Sequence, residues 1–258
     1  MASPQVRESV TGELASWPIR RRKLSEEAAL RLEAMIREGT FPPGTMLPPE
    51  RELMKIFGVG RASIREALFA LNRMGLVLLR NGERPRVTTP TPETLITELS
   101  GSARHFLSQP NGAAYFQEAR ALFETGVARL AAARATDEDI ERLRQALEAN
   151  MAARGDRARF ERTDVAFHYV LATIAKNPIF TAVHDALVEW LTRQRTMSLR
   201  VPGAEKGAAE AHRRVYEAVA ARDPEAAARA MEDHLAEVAA LVRRSKEGKA
   251  DAPPHHLR

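Results

Sequence analysis

Asp164 and His168 lie four residues apart in Thr163-Asp164-Val165-Ala166-Phe167-His168, and two further histidines, His212 and His234, follow later in the chain. On a helix that interval places both side chains on one face, about one turn apart. A carboxylate with three imidazoles is a borderline ligand set that suits Zn2+, with Ni2+ or Mn2+ as alternatives set by geometry and supply. The competing reading is ordinary: an Asp-x3-His pair is often a surface ion pair, and seven histidines in 258 residues is not unusual. His105 and His184 read as structural. A second chemistry, recognition of a polyanion, is offered by Arg51, Arg61 and Arg65, with Arg80, Arg84 and Arg86 further on. Guanidinium groups bind phosphates and pair bidentately with guanine, although arginines at i,i+4 are more often only a solvated face.

The elements that must position the arginines can be read from spacing. Leu53, Ile56 and Phe57 recur at helical intervals before Gly58, and Ile64, Ala67, Leu68, Leu71 and Met74 form a second apolar set ended by Gly75. Arg61, Arg65, Phe69 and Asn72 then fall on or near the opposite side. Two helices joined by a short turn, the second presenting arginines, make a helix-turn-helix. Leu76 to Arg80 is rich in strand formers, Asn81-Gly82 signals a type I′ turn, and Glu83 to Thr88 supplies a returning strand. A basic hairpin in this place reads as a wing, with Arg80, Arg84 and Arg86 available for phosphates. Upstream, Ser25 is an expected N-cap, Glu26 and Glu27 occupy the first turn, and Leu32, Met35 and Ile36 form an apolar stripe before Gly39.

The histidines sit in a longer, almost wholly helical stretch. Thr88-Thr89-Pro90-Thr91-Pro92 breaks regular structure and marks a linker. Helices are expected over 93–107, 112–134, 137–151, 157–175, 178–197, 207–221 and 224–244. Asn177-Pro178 and Asp223-Pro224 are N-cap and N1 signatures, and Asp156 is a further cap. The fold class is therefore mainly α: an N-terminal winged helix-turn-helix over 23–90 and an all-α bundle over 91–244. Residues 1–22 form an extension that reads either as a basic arm on DNA or as a solubilising tail, and 245–258 read as a disordered tail.

Charge divides along the same line. Residues 1–90 carry 15 Lys and Arg against 10 Asp and Glu, so 15 − 10 = +5 accounts for the whole net charge, the remaining 24 and 24 cancelling. The basic end is where a nucleic acid would bind. The absence of cysteine excludes a disulfide framework or thiolate site. No apolar run approaches a membrane span and the N-terminus lacks a signal-peptide core, so a soluble cytoplasmic protein is expected.

The pattern Gly44-x-x-Leu47-Pro48-x-Glu50-Arg51-Glu52-Leu53, then Val59-x-Arg61-x-Ser63-x-Arg65-Glu66-Ala67-Leu68, then Leu71-x-x-Met74-Gly75-Leu76, resembles the winged helix-turn-helix of the GntR family of bacterial transcription regulators. The resemblance implies that Arg51, Arg61, Ser63 and Arg65 contact DNA, with Asn81 and Gly82 at the wing tip. Gly60 and Ala62 carry no polar side chain where relatives vary, which puts hydroxyl contacts there in doubt. Asp164-x3-His168, His212 in Glu210-Ala211-His212-Arg213 and His234 in Met231-x-x-His234-Leu235 are similar to the metal-binding pattern of the FCD effector domain of the FadR subfamily. Arg120 matches an arginine that in such domains faces an anionic effector; an i,i+4 ion pair with Glu124 is the alternative. Arg80-Asn81-Gly82-Glu83-Arg84-x-Arg86-Val87, Glu98-Leu99-Ser100-Gly101, Phe106-Leu107-Ser108 and Asn177-Pro178-Ile179-Phe180-x-Ala182-x-His184 look similar to a sialic-acid-responsive branch of the family.

What the resemblance implies is a homodimeric, metal-dependent repressor of operator DNA that releases on binding a small organic acid, either a sialic acid such as N-acetylneuraminate or another acid such as a dicarboxylate or hexuronate. Two rivals stand beside it. A metal with histidines could activate water in a hydrolase, although no separate nucleophile or general base is evident. A constitutive DNA binder with a purely structural metal is the other.

Overall fold

Leu32, Ile36, Leu47, Leu53, Ile64, Leu68, Leu71, Val77 and Val87, scattered through the N-terminal part of the sequence, converge in one buried cluster. In the computed structural model, which describes residues 23–250, they come from α1 (Leu24–Arg37), α2 (Glu50–Phe57), α3 (Arg61–Arg73) and a small antiparallel hairpin of β1 (Val77–Leu78) and β2 (Arg86–Val87). Gly58 closes α2 in the left-handed region, φ +64°, a conformation that costs a side-chain-bearing residue strain. The chain therefore turns at once into α3. Burying each large aliphatic side chain here contributes roughly 1.5 to 3 kcal/mol.

Several local expectations are corrected. The N-cap of α1 is Lys23 rather than Ser25, which is buried inside the first turn. Ile56 and Met74, expected in the core, are 54% and 48% exposed. The hairpin strands are only two residues each, pairing Val77 with Val87 and Leu78 with Arg86. The tip is not a type I′ turn, because that turn needs positive φ at both central residues and only Gly82 has it, at +78°. Pro85 supplies no N–H to extend the ladder, and the neighbouring arginines are spent elsewhere. Arg84 donates through Nε and Nη2 to the carbonyl of Leu47, at 3.1 and 2.7 Å, and Arg86 Nη1 donates to that of Gly44 at 2.7 Å. They brace the wing against the segment between α1 and α2 rather than waiting for phosphate. Asn72, expected to face outward, donates from Nδ2 to the carbonyl of Val77 at 2.8 Å and fastens α3 to β1.

The chain folds as two compact units, the first ending at Thr91 and the second beginning at Pro92. The second unit contains α4 (Pro92–Leu107), α5 (Gly112–Arg134), α6 (Asp137–Ala152), α7 (Arg157–Ile174), α8 (Pro178–Trp190), α9 (Thr192–Ser198), α10 (Ala204–Ala220) and α11 (Pro224–Ala250). Its core gathers Val127, Leu143, Phe167, Leu171, Val215 and Met231, with α5 and α10 both packed along α11. Thr136 and Asp139 form a capping box on α6. Asp156, Asn177 and Asp223 accept backbone N–H groups at 3.0, 3.0 and 2.9 Å, as their positions in the sequence suggest. The helix expected over 178–197 is two helices, broken at Leu191, whose φ of −102° and ψ of 12° leave the helical region. No proline or glycine marks the break in the sequence; Leu191 is wholly buried and the chain bends around it. The last helix runs past the expected end at 244 to Ala250. The N-terminal extension, residues 1–22, and residues 251–258 lie outside the described residues.

Candidate metal centre and nucleic-acid interface

The four residues singled out as ligands come together from three helices. Asp164 and His168 project from α7, His212 from α10 and His234 from α11, and all four are buried. The donor nitrogens of His168, His212 and His234 lie within 4.8 Å of one another. His168 Nε2 and His212 Nε2 stand 3.2 Å apart. Two nitrogens bound tetrahedrally to one zinc ion at its usual bond length would be separated by roughly 3.3 Å, so this spacing fits a metal. Asp164 is adjacent, its Oδ1 3.5 Å from His212 Nε2, but its other oxygen faces Arg195 Nε at 3.5 Å. The carboxylate thus lies at the edge of the trio.

Around the histidines is a shell of which the sequence reading named the Arg120–Glu124 pair and His184 but not Asn150 or Arg195. Asn150 on α6 is fully buried and its Oδ1 lies 2.9 Å from His212 Nδ1. Glu124 on α5 places Oε2 2.7 Å from His168 Nδ1, with the ring N–H out of line for a well-formed hydrogen bond. Its Oε1 accepts from Arg120 Nε at 2.6 Å. The i,i+4 pair of Arg120 and Glu124 is therefore real and buried, with side chains 5% and 6% exposed. Phe167 stacks on His212, ring centroids 4.5 Å apart and planes 20° apart. A side chain on α8 also reaches the area: His184 is buried, and its Nε2 has no hydrogen-bond partner among the described residues.

Electrostatics follow from burial. Desolvation pushes His212 down to about 3 against the pull of Asp164 and His184 down to about 4. His234 lies well below its ordinary value through burial and the neighbouring His212. Unprotonated imidazoles are the form that binds a metal. Burial alone would raise Glu124 and Asp164, yet Arg120 and His168 hold the first well below the usual carboxylate range, and His212, His168 and Arg195 hold the second down. Arg195 is lowered by burial, with Asp164 opposing and Arg120 adding repulsion. Two buried guanidinium groups therefore feel one another beside the histidines. On another side His234 lines a groove of about 350 Å3 together with Pro202, Gly207, Val238 and Leu241.

The other expected site lies in the first unit. Arg61 opens α3 and Arg65 follows one turn later, their side chains 69% and 58% exposed and each within 4 Å of a Glu50 oxygen, at 3.9 and 3.8 Å. Arg51, Asn81 and Gly82 are exposed and Ser63 is half-buried.

A winged helix-turn-helix followed by an all-α unit with a buried histidine cluster is the architecture of a DNA-reading module joined to a helical domain. Residues 24–87 match the model of bacterial regulatory proteins of the gntR family, and residues 116–237 match the FCD domain. The chain belongs to the GntR family of bacterial regulatory proteins and carries an FCD domain. It is 45% identical over 253 residues to the HTH-type transcriptional repressor NanR of Klebsiella aerogenes, covering 97% of each chain. Against the repressor of the same name from Cronobacter sakazakii the identity is 47% over 238 residues, 90% of each. Among solved structures, a GntR protein of Streptococcus agalactiae superposes with a TM-score of 0.58 at 27% identity, covering 85% of this chain and 99% of that one. The hydrolase alternative gives way to this membership. Among the described residues no helix is long and apolar enough to cross a membrane.

Proposed function

We propose that this chain is a cytoplasmic, homodimeric transcriptional repressor that binds operator DNA and is released by a small organic acid held beside a divalent metal. The repressor role is carried by its likeness to the two repressors named NanR. Arg51, Arg61, Ser63, Arg65, Asn81 and Gly82 form the DNA-binding set. His168, His212 and His234 hold the metal, most simply Zn2+, with Ni2+ or Mn2+ as alternatives and Asp164 completing the set from its edge. A bound metal of this kind would offer an open position to a carboxylate or hydroxyl oxygen of the acid.

The observation that carries the effector class is the charge balance of the buried site. Arg120 and Arg195 are cancelled by Glu124 and Asp164, and His212 and His234 are unprotonated at neutral pH. A divalent cation therefore leaves a buried excess of positive charge, which an entering anion would offset. Arg120, and Arg195, whose Nε faces Asp164 at 3.5 Å without a hydrogen bond, are the groups to receive a carboxylate. The tracts similar to the sialic-acid-responsive branch favour N-acetylneuraminate or a related sugar acid. Two separate guanidinium groups also suit an acid with two carboxylates, which keeps a dicarboxylate as the second reading, beside a hexuronate with one carboxylate and neighbouring hydroxyls.

Thermal melts of the full chain, chelated and metal-loaded, against N-acetylneuraminate, a hexuronate and a dicarboxylate test the proposal, since a ligand of the native state raises its melting temperature. Duplexes selected from a random pool would then report release. The expected result is a metal-dependent stabilisation by one acid that also frees the duplex. No stabilisation by any of them would favour a constitutive DNA binder, and an acid that tightened the complex would overturn release.

A further inference from the structure

The outer partner of His212 belongs to a buried hydrogen-bonded chain. Asn150 donates from Nδ2 to Thr163 Oγ1 at 3.1 Å, which leaves its Oδ1 as the atom facing His212 Nδ1 at 2.9 Å. An amide oxygen only accepts, so Nδ1 of His212 carries the proton and Nε2 the lone pair. Across the site, Arg120 fixes Glu124 Oε1 at 2.6 Å and so turns Oε2 to within 2.7 Å of His168 Nδ1. That contact is not aligned as a hydrogen bond and so does not fix the tautomer of His168. His212 Nε2 faces His168 Nε2 at 3.2 Å, a gap that a cation or a shared proton can bridge.

Resting on the metal-centre reading above, we propose that Asn150 is a positioning residue that selects the Nδ1–H form of His212 and so presets its Nε2 as a donor before any ion arrives. Free histidine favours the opposite tautomer, so the protein has to impose this one. His168 and His234 lack the device: Nδ1 of each is buried with no hydrogen-bond partner among the described residues. His212 is therefore the ligand whose tautomer is fixed in advance, while His234 lines the groove beside α10 and α11.

The first measurement needs no substitution. In 15N-labelled full-length protein kept in chelator at mildly alkaline pH, a long-range proton–nitrogen correlation spectrum should show His212 protonated at Nδ1. Protonation at Nε2 would overturn the proposal while leaving the metal-centre reading intact. The second measurement is Zn2+ and Co2+ affinity by competition with a chromophoric chelator. Asn150→Leu should weaken binding roughly 10- to 100-fold, whereas Asn150→Asp, which keeps the acceptor, should stay within about threefold of the parent. The cobalt absorption bands should shift in the leucine variant alone, a signature that a merely structural role would not give. Parent-like affinity in a folded Asn150→Leu protein would sink the idea, and if that variant does not fold, the tautomer of the unsubstituted protein decides. Failure of the parent protein to bind either ion would remove the metal-centre reading and this inference with it, an outcome distinct from a wrong tautomer.

Discussion

Arg65 stands 3.8 Å from Glu50 across the turn between α2 and α3. The same carboxylate is 3.9 Å from Arg61, so one acidic group partly shields both outward guanidiniums at distances too long for hydrogen bonds. Such exposed pairs are worth little and are easily exchanged for a phosphate or a base edge. Arg61→Ala and Arg65→Ala should each cost about 1 to 3 kcal/mol of operator binding without moving the melting temperature. Glu50→Gln should tighten binding to random duplex. Fluorescence anisotropy with selected and scrambled DNA would check both, and undiminished operator affinity in Arg61→Ala would count against α3 as the reading helix.

The wing arginines should separate into two kinds. Arg84→Ala removes donors to the Leu47 carbonyl and should lower stability by about 1 kcal/mol. Arg80 is exposed at the tip, and Arg80→Ala should leave stability alone while reducing the slope of log affinity against log salt by about one. Urea melts and a salt titration would expose the split; identical behaviour in the two variants would dissolve the distinction.

Acid should destabilise the metal-free protein from the histidine range downward. His212 and His184 sit at about 3 and about 4, against 6.5 for the ordinary group, so between those values the unfolded chain binds more protons than the folded one. Stability is then fully present above 6.5 and falls as pH drops through that value towards 4 and 3. Melting curves in chelator from pH 7.5 to pH 5 should shift steadily lower. A flat or rising melting temperature over that interval would mean that these rings are solvated.

Effector capture and site stability should divide between the two buried arginines. Arg120→Gln strips the partner from a buried carboxylate and should cost about 3 to 5 kcal/mol in denaturant melts. Arg195→Gln breaks a longer contact to Asp164, and the protein should remain folded and bind DNA yet lose its melting-temperature response to the acid. A full acid response in Arg195→Gln would remove that residue from the proposed pocket.

The DNA-reading unit was the more legible part of the sequence because its information is local. Leu53, Ile64, Leu68 and Leu71 occupy the core that their spacing implies, and the glycines at the ends of α2 and α3 stop those helices. The wing was read less well. A dipeptide signal at Asn81-Gly82 was outweighed by Pro85 and by long-range bonds from Arg84 and Arg86, which no window of neighbouring residues contains. In the bundle, the helices and their caps announced themselves, and the histidines were recognisable as a set. Asn150 and Arg195 were not, because each meets a residue distant in the chain across a helix interface; Glu124 was legible only as the i,i+4 partner of Arg120, and His184 only as a structural residue. The break at Leu191, which begins the short helix bearing Arg195, has no local sequence mark at all.

The bonds from Arg84 and Arg86 to Leu47 and Gly44 have a consequence for target choice. With the hairpin latched to the connector ahead of α2, and Asn72 tying α3 to the hairpin, tip and reading helix approach a duplex as a single fixed stencil. On the proposed reading its footprint on one half-site is set by these bonds, and tolerance for operators with differently spaced halves would have to come from joints outside this unit.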